Sequence, residues 1–132
     1  SGVLGAEVSK EEILFTYQGR LPQELGIDDL DLCFFLSNML ENAKEAVEKI
    51  PPDIGERKIH LTIGTYKKLI FFDCVNTILP DEEPSTGTDK NSDWHGFGLH
   101  NIHKIVQKYD GEFELSFDRQ TATAHAVLHK NL

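Results

Sequence analysis

The pattern of this 132-residue chain predicts an α+β fold: a two-layer α/β sandwich, with a mixed, mostly antiparallel sheet and helices on one face. Three observations predict it. Strand-like segments arrive in adjacent pairs, 59–63 with 69–75 and 113–117 with 121–128. Two other segments repeat their apolar residues at the helical interval. The order is strand, helix, two strands, long loop, helix, two strands, which gives hairpins one sheet to build and two helices to cover it.

The first strand is read over 13–18, where Ile13, Leu14, Phe15 and Tyr17 precede Gly19. Asp28 or Asp29 can then cap a long helix running to about Lys49, with Leu32, Phe35, Leu36, Met39, Leu40, Ala43 and Val47 on its apolar stripe. Pro51-Pro52 stops it, because proline cannot donate to the helical ladder. Ile59, Leu61 and Ile63 alternate with polar neighbours, Gly64-Thr65 reads as a turn, and Leu69 to Val75 is a nearly continuous apolar run. Residues 79–94 carry Pro80, Pro84, Gly87 and five acidic residues without any apolar period. A stretch of that kind in a small domain is often a lid or binding loop. Leu99, Ile102, Ile105, Val106 and Tyr109 mark the second helix, ended by Asp110-Gly111. A last hairpin follows.

With 39% hydrophobic content, one domain over 1–132 is expected, since two would each be too small to bury a core. The formal net charge of −9 argues against nucleic acid as a partner and against attachment to anionic lipid. It leaves a nucleotide possible, because Mg²⁺ and backbone N–H groups can carry phosphates. No run approaches 18 apolar residues, and Cys33 and Cys74 both sit in apolar stretches that predict buried, reduced thiols. The Ser1-Gly2 start, without methionine, reads as a cut end.

Three segments could carry chemistry. On the first helix Asn38 and Asn42 stack at four-residue spacing, and Glu41 and Glu45 project close to that stripe. Amides and carboxylates on a groove wall suit hydrated Mg²⁺, a hard ion that prefers oxygen ligands; a solvated helix face has the same composition. Gly96-Phe97-Gly98-Leu99 opens the second helix, where glycines let backbone N–H groups approach an anion closely or simply make a sharp turn. It is neither a Rossmann fingerprint nor a P-loop. Asn76 ends an apolar strand just before the long loop, where it could read a purine edge or start a turn.

Taken together these segments resemble the GHKL ATPase superfamily, and within it the catalytic domains of sensor histidine kinases. Leu36-Ser37-Asn38-Met39-Leu40-Glu41-Asn42-Ala43-Lys44-Glu45-Ala46 is similar to that family's N-box, and His95-Gly96-Phe97-Gly98-Leu99-His100-Asn101-Ile102 to its second glycine box. With Leu21-Pro22 and Asp31-Leu32-Cys33 ahead, the wording most resembles Agr-type receptor kinases that sense peptide pheromones. The resemblance covers roughly residues 10–130. It implies Mg–ATP as the ligand, with Asn42 on the metal, Asn38 on the phosphate side and Glu45 beside them. Gly96 and Gly98 would hinge the ATP lid (79–94) and meet the phosphates, with Leu99 beside them. Lys90 in that loop could reach a terminal phosphate or simply be a solvated loop lysine.

Two departures from the superfamily pattern matter. Most members carry Asp-x-Gly where this strand reads Asp73-Cys74-Val75-Asn76-Thr77, so the adenine contact is assigned to Asn76, with Asp73 second. Hydrolases and serine kinases of the superfamily carry a glutamate base four residues before the metal asparagine, where this chain has Asn38. An amide takes no proton from water or serine, whereas neutral imidazole already offers a lone pair, so histidine phosphorylation is favoured. None of the six histidines stands in a helix ahead of these motifs, where the phospho-acceptor belongs. The implied protein is therefore the catalytic domain of a two-component kinase, itself monomeric and inactive alone. It would act on a histidine of a separate dimerisation domain and, through the full-length kinase, on a response regulator, as the cytoplasmic part of a membrane receptor. The alternatives are a GHKL-type ATPase or serine kinase, and a nucleotide-binding domain without catalysis.

Overall fold

The structure is a computed structural model that describes residues 3–4, 12–24, 26–79, 87–88 and 97–130. Its elements are β1 (Val3–Leu4), β2 (Leu14–Gln18), α1 (Asp29–Glu48), β3 (Lys58–Tyr66), β4 (Leu69–Thr77), β5 (Gly87–Thr88), α2 (Phe97–Lys108), β6 (Glu112–Phe117) and β7 (Thr121–His129). Among the described residues the strands form one sheet in the order β1-β2-β3-β4-β7-β6-β5. Five of them are full strands and the two at the edges have two residues each. The β2–β3 pair is parallel, joined through α1, and the remaining pairs are antiparallel. This is the mixed two-layer sandwich that the segment order predicts.

One face of the sheet makes the core. Along β4, Ile70, Phe72, Cys74 and Asn76 are buried while their neighbours are half-exposed, and Ala122, Ala124, Ala126 and Leu128 of β7 alternate in the same way. The α1 stripe of Leu32, Phe35, Met39, Ala43 and Val47 closes onto this face, and α2 adds Ile102, Ile105 and Val106. Phe35 meets Phe72 edge-on at 5.0 Å, with both rings fully buried, each worth about 2–3 kcal/mol in apolar area removed from water.

The ends of α1 are satisfied from both sides. Asp28 is the N-cap, its Oδ1 accepting from the N–H groups of Leu30 at 2.8 Å and Asp31 at 3.4 Å. The last turn has no basic residue of its own. Arg57 supplies the missing charge from outside the helix, donating to the carbonyls of Ile50 at 2.8 Å and Glu48 at 3.2 Å.

The structure departs from the sequence expectation at three places. The turn expected at Gly64-Thr65 lies at Lys67-Lys68, with Lys67 left-handed at φ 58°, and β3 runs straight through Gly64. Gly64 sits opposite Phe71, whose ring covers it so closely that a Cβ there would lie 2.5 Å from the ring. The glycine makes room for an aromatic neighbour and does not turn the chain. Asp110-Gly111 ends α2 as expected: Asp110 is left-handed (φ 51°), the Gly111 N–H donates to the Val106 carbonyl at 2.8 Å, and Gly111 passes the carbonyl of Val127, which a Cβ would approach to 1.9 Å. Cys33 is exposed, because the buried stripe runs through Leu32 and Phe35 and turns position 33 outward; Cys74 is buried as expected. Within the 79–94 stretch, Gly87 and Thr88 pair with Phe117 and Ser116 at the sheet edge.

Candidate functional site

The site is set by where α2 is fixed against α1. Tyr109, just past α2, donates its hydroxyl proton to Asp31 Oδ2 at 2.6 Å and accepts from the Asp28 N–H at 3.0 Å. Lys108 reaches the same Asp31 oxygen at 2.8 Å. Those two hydrogen bonds, Lys108 first and Tyr109 second, hold the Asp31 carboxyl below its ordinary range, and Asp31 in turn raises Lys108. Burial, then the bond to Asp31, pushes the Tyr109 phenol upward. The C-terminal end of α2 is thus fastened to the N-terminal end of α1.

From that fastening the helical period carries Asp31 to Phe35, Asn38 and Asn42 along one ridge, four, three and four residues apart. Asp31 touches α2 and Phe35 lies on β4; Asn38 and Asn42, further along the same ridge, are both half-buried. At 1.5 Å per residue, Asn42 lies about 16 Å along α1 from the fastening, and Gly98 about 15 Å along α2. Glu45 and Glu41 lie on the exposed side of this ridge.

Asn76 lies near the end of β4. It is 1% exposed, between Ile59 of β3 and Ala122 of β7. Its Nδ2 donates to the carbonyl of Thr77 at 2.9 Å, while its Oδ1 is buried without a partner. The Nδ2 of Asn42 is likewise buried without a partner. Unpaired polar atoms in a folded interior are uncommon and costly; here one is a donor on α1 and the other an acceptor on β4.

The remaining expected residues divide as follows. Gly98 is in the first turn of α2, and Leu99 packs against the core, so any contact it makes with a ligand is through its backbone. Lys90 and Gly96 lie outside the described residues. Asp73 does not join the site: it is on the other face of the sheet, where its carboxylate meets Nδ1 of His125 across the β4–β7 pair. Its negative charge adds to burial in pushing the Cys74 thiol up to about 12, burial being the larger cause. Among the described residues no group of three or more His, Cys, Asp or Glu is placed to hold a metal ion.

A family model described as the GHKL domain matches residues 27–128. The chain belongs to the GHKL domain family. Its match begins just before the α1 cap and ends in β7, so it takes in both helices. The nitrogen regulation protein NtrY of Azorhizobium caulinodans is 32% identical over 90 residues, which cover 61% of this chain and 11% of NtrY. This GHKL domain thus corresponds to about a ninth of that relative's length. The catalytic domain of histidine kinase ThkA, in a nucleotide-free form, superposes with a TM-score of 0.65 at 19% identity, over 88% of this chain and 78% of ThkA's. Acinetobacter baumannii histidine kinase AdeS gives 0.60 at 13% identity, over 89% of this chain and 53% of its own. The fold is that of histidine kinase catalytic domains.

Two neighbours of Asn76 go beyond what the sequence pattern marks. Ala122 pairs with it across β4–β7, where the alternation of alanines at 122, 124 and 126 signals a buried inner face. Thr77 was read as the end of a strand; its contacts reach back to residues about 20 positions earlier, which no local pattern shows.

Proposed function

We propose that this chain is the catalytic, ATP-binding domain of a sensor histidine kinase, which transfers the γ-phosphoryl of ATP to a histidine on a separate dimerisation domain. The observation that carries the reading is the pair of buried, unpartnered amide atoms, Asn42 Nδ2 on α1 and Asn76 Oδ1 on β4. The acceptor on Asn76 suits the exocyclic amine of adenine, and the donor on Asn42 suits a phosphate oxygen. The residues also fit Mg²⁺, since Asn42 Oδ1 and waters are the hard oxygen ligands it takes. When bound, that ion supplies neutralisation of phosphate charge.

The rest of the work falls to the chain itself. The first turn of α2, with Gly98, presents backbone N–H groups and the positive end of the helix to the phosphates. Gly96, Leu99 and Lys90 complete the phosphate side, Glu45 lines its outer wall, and residues 79–94 act as the lid. Asn38 holds the phosphate side without being a base, so neither water nor serine is activated. Neutral imidazole needs no such help, and positioning plus electrostatics suffices for its attack. The whole receptor would place this domain on the cytoplasmic side of a membrane and pass the phosphoryl to a response regulator. No helix among the described residues is long and apolar enough to cross a membrane.

Calorimetric titration with Mg–ADP tests the binding claim. Saturable heat with a dissociation constant between about 1 µM and 1 mM is expected for a site with an uncharged adenine contact. Absence of heat and of any thermal shift at millimolar nucleotide would overturn it.

A further inference from the structure

At the end of β4 the Thr77 hydroxyl clasps the segment that enters β3. Its Oγ1 donates to the Glu56 carbonyl at 2.8 Å and accepts from the Lys58 N–H at 3.0 Å. The next N–H along, that of Ile78, donates to the Gln120 carbonyl at 3.0 Å. The Thr77–Ile78 peptide is therefore held at both of its ends, and the direction of its carbonyl is fixed. That carbonyl is the one that accepts from Asn76 Nδ2 at 2.9 Å.

An asparagine, unlike an aspartate, has one donating and one accepting end, and only an outside partner decides which end faces a ligand. Here the Thr77 carbonyl takes the donating end, and Oδ1 is left buried and unpartnered. Turning the amide over would set two acceptors against each other and break a hydrogen bond in a place water does not reach. We propose that Thr77 is a positioning residue for base specificity: by fixing the peptide whose carbonyl holds Asn76 Nδ2, it commits Asn76 to presenting an acceptor. The site then takes a purine with an amino group at that edge and rejects one with a carbonyl there.

This inference rests on the nucleotide site proposed above, and its test separates the two. Dissociation constants are measured for Mg–ATP and for Mg–ITP, whose purine carries a 6-oxo group in place of the 6-amino group. The expected ratio in the wild type is at least about tenfold in favour of ATP, the equivalent of one unmade hydrogen bond in a buried site. Thr77→Val removes the hydroxyl clasp while keeping the shape, and should bring the ratio down to within about threefold. Thr77→Ser keeps the clasp and should restore it. A loss of stability alone would weaken both nucleotides together and leave the ratio unmoved. An unchanged ratio in a folded Thr77→Val protein overturns the role of Thr77. Equal binding of ATP and ITP by the wild type overturns the fixed acceptor but leaves nucleotide binding intact, and binding of neither overturns the site itself. A second measurement needs no variant: by NMR, the Asn76 side-chain amide protons should be protected from exchange before any nucleotide is added, and rapid exchange overturns the fixed orientation.

Discussion

Tyr109 and Asp31 are 78 residues apart in sequence and 2.6 Å apart in space, and their hydrogen bond ties the end of α2 to the first turn of α1. The same hydroxyl accepts from the Asp28 N–H, one of the backbone donors a helix N-terminus leaves over. Tyr109→Phe keeps the ring and removes both bonds. It should lower stability by about 1–3 kcal/mol, read as a shift of the urea midpoint with an unchanged slope. An unmoved midpoint would mean the fastening is held by packing alone.

Asp31 gives that fastening a pH dependence. Its folded value lies below the ordinary 3.8, so the folded state binds fewer protons than the unfolded one as pH falls through this range. The stability it contributes is complete above 3.8 and is lost as pH drops through the lowered value. Asp31→Asn should therefore cost a constant amount between about pH 5 and 8, and the gap to wild type should close below about pH 4. Lys108 is more than half exposed, so high salt should reduce part of the gap as well. A gap that widens in acid would contradict the assignment.

Two of the crowded glycines give a graded pair. Gly64→Ala places its Cβ 2.5 Å from the Phe71 ring, which can move, whereas Gly111→Ala drives it to 1.9 Å from the Val127 carbonyl, which is held in the sheet. Overpacking of the first kind should cost about 1–3 kcal/mol and the second more, read from denaturation midpoints. The reverse order would show that the β6–β7 end yields more easily than the Phe71 ring.

Cysteine reactivity follows burial. Cys33 is exposed and should react with a thiol reagent such as dithiobisnitrobenzoate in the native protein. Cys74 is buried, with its thiol pushed up to about 12, and should react only on unfolding. Two rapid equivalents from the native protein would contradict the placement of β4.

The sequence made the architecture legible wherever a period was long. The 20-residue α1, the alternation along β4 and the final hairpin all appear within a residue or two of where periodicity puts them. It misled where a glycine stood for something other than a turn: Gly64 answers to Phe71 across the strands, whereas Asp110-Gly111 does end α2. Asn38, Asn42 and Asn76 are candidates from local pattern and resemblance, and the fold leaves Asn42 and Asn76 each with a buried, unpartnered amide atom. That Asp73 faces away from Asn76 also follows from strand alternation, since three residues separate them. Tyr109 was read as a core residue, and its second role, fastening α1, depends on a partner 78 positions away.

Within the site, Asn42→Ala should weaken Mg–ATP binding about 10- to 100-fold, the loss of a bond to a charged group, while binding in the presence of EDTA changes far less. Equal losses with and without Mg²⁺ would remove Asn42 from the metal side.

Phosphoryl transfer is the most direct test of the central claim. The chain is incubated with γ-labelled ATP and Mg²⁺, alone and with the dimerisation domain of its own receptor. Alone it should neither label itself nor hydrolyse ATP appreciably, because Asn38 supplies no base and, in the proposed function, the acceptor histidine lies on another domain. With its partner, label should pass to that domain's histidine and be lost in acid but kept in alkali, and Asn42→Ala should abolish the transfer. Robust hydrolysis by the chain alone, or tight nucleotide binding with no transfer to the histidine, would contradict the account.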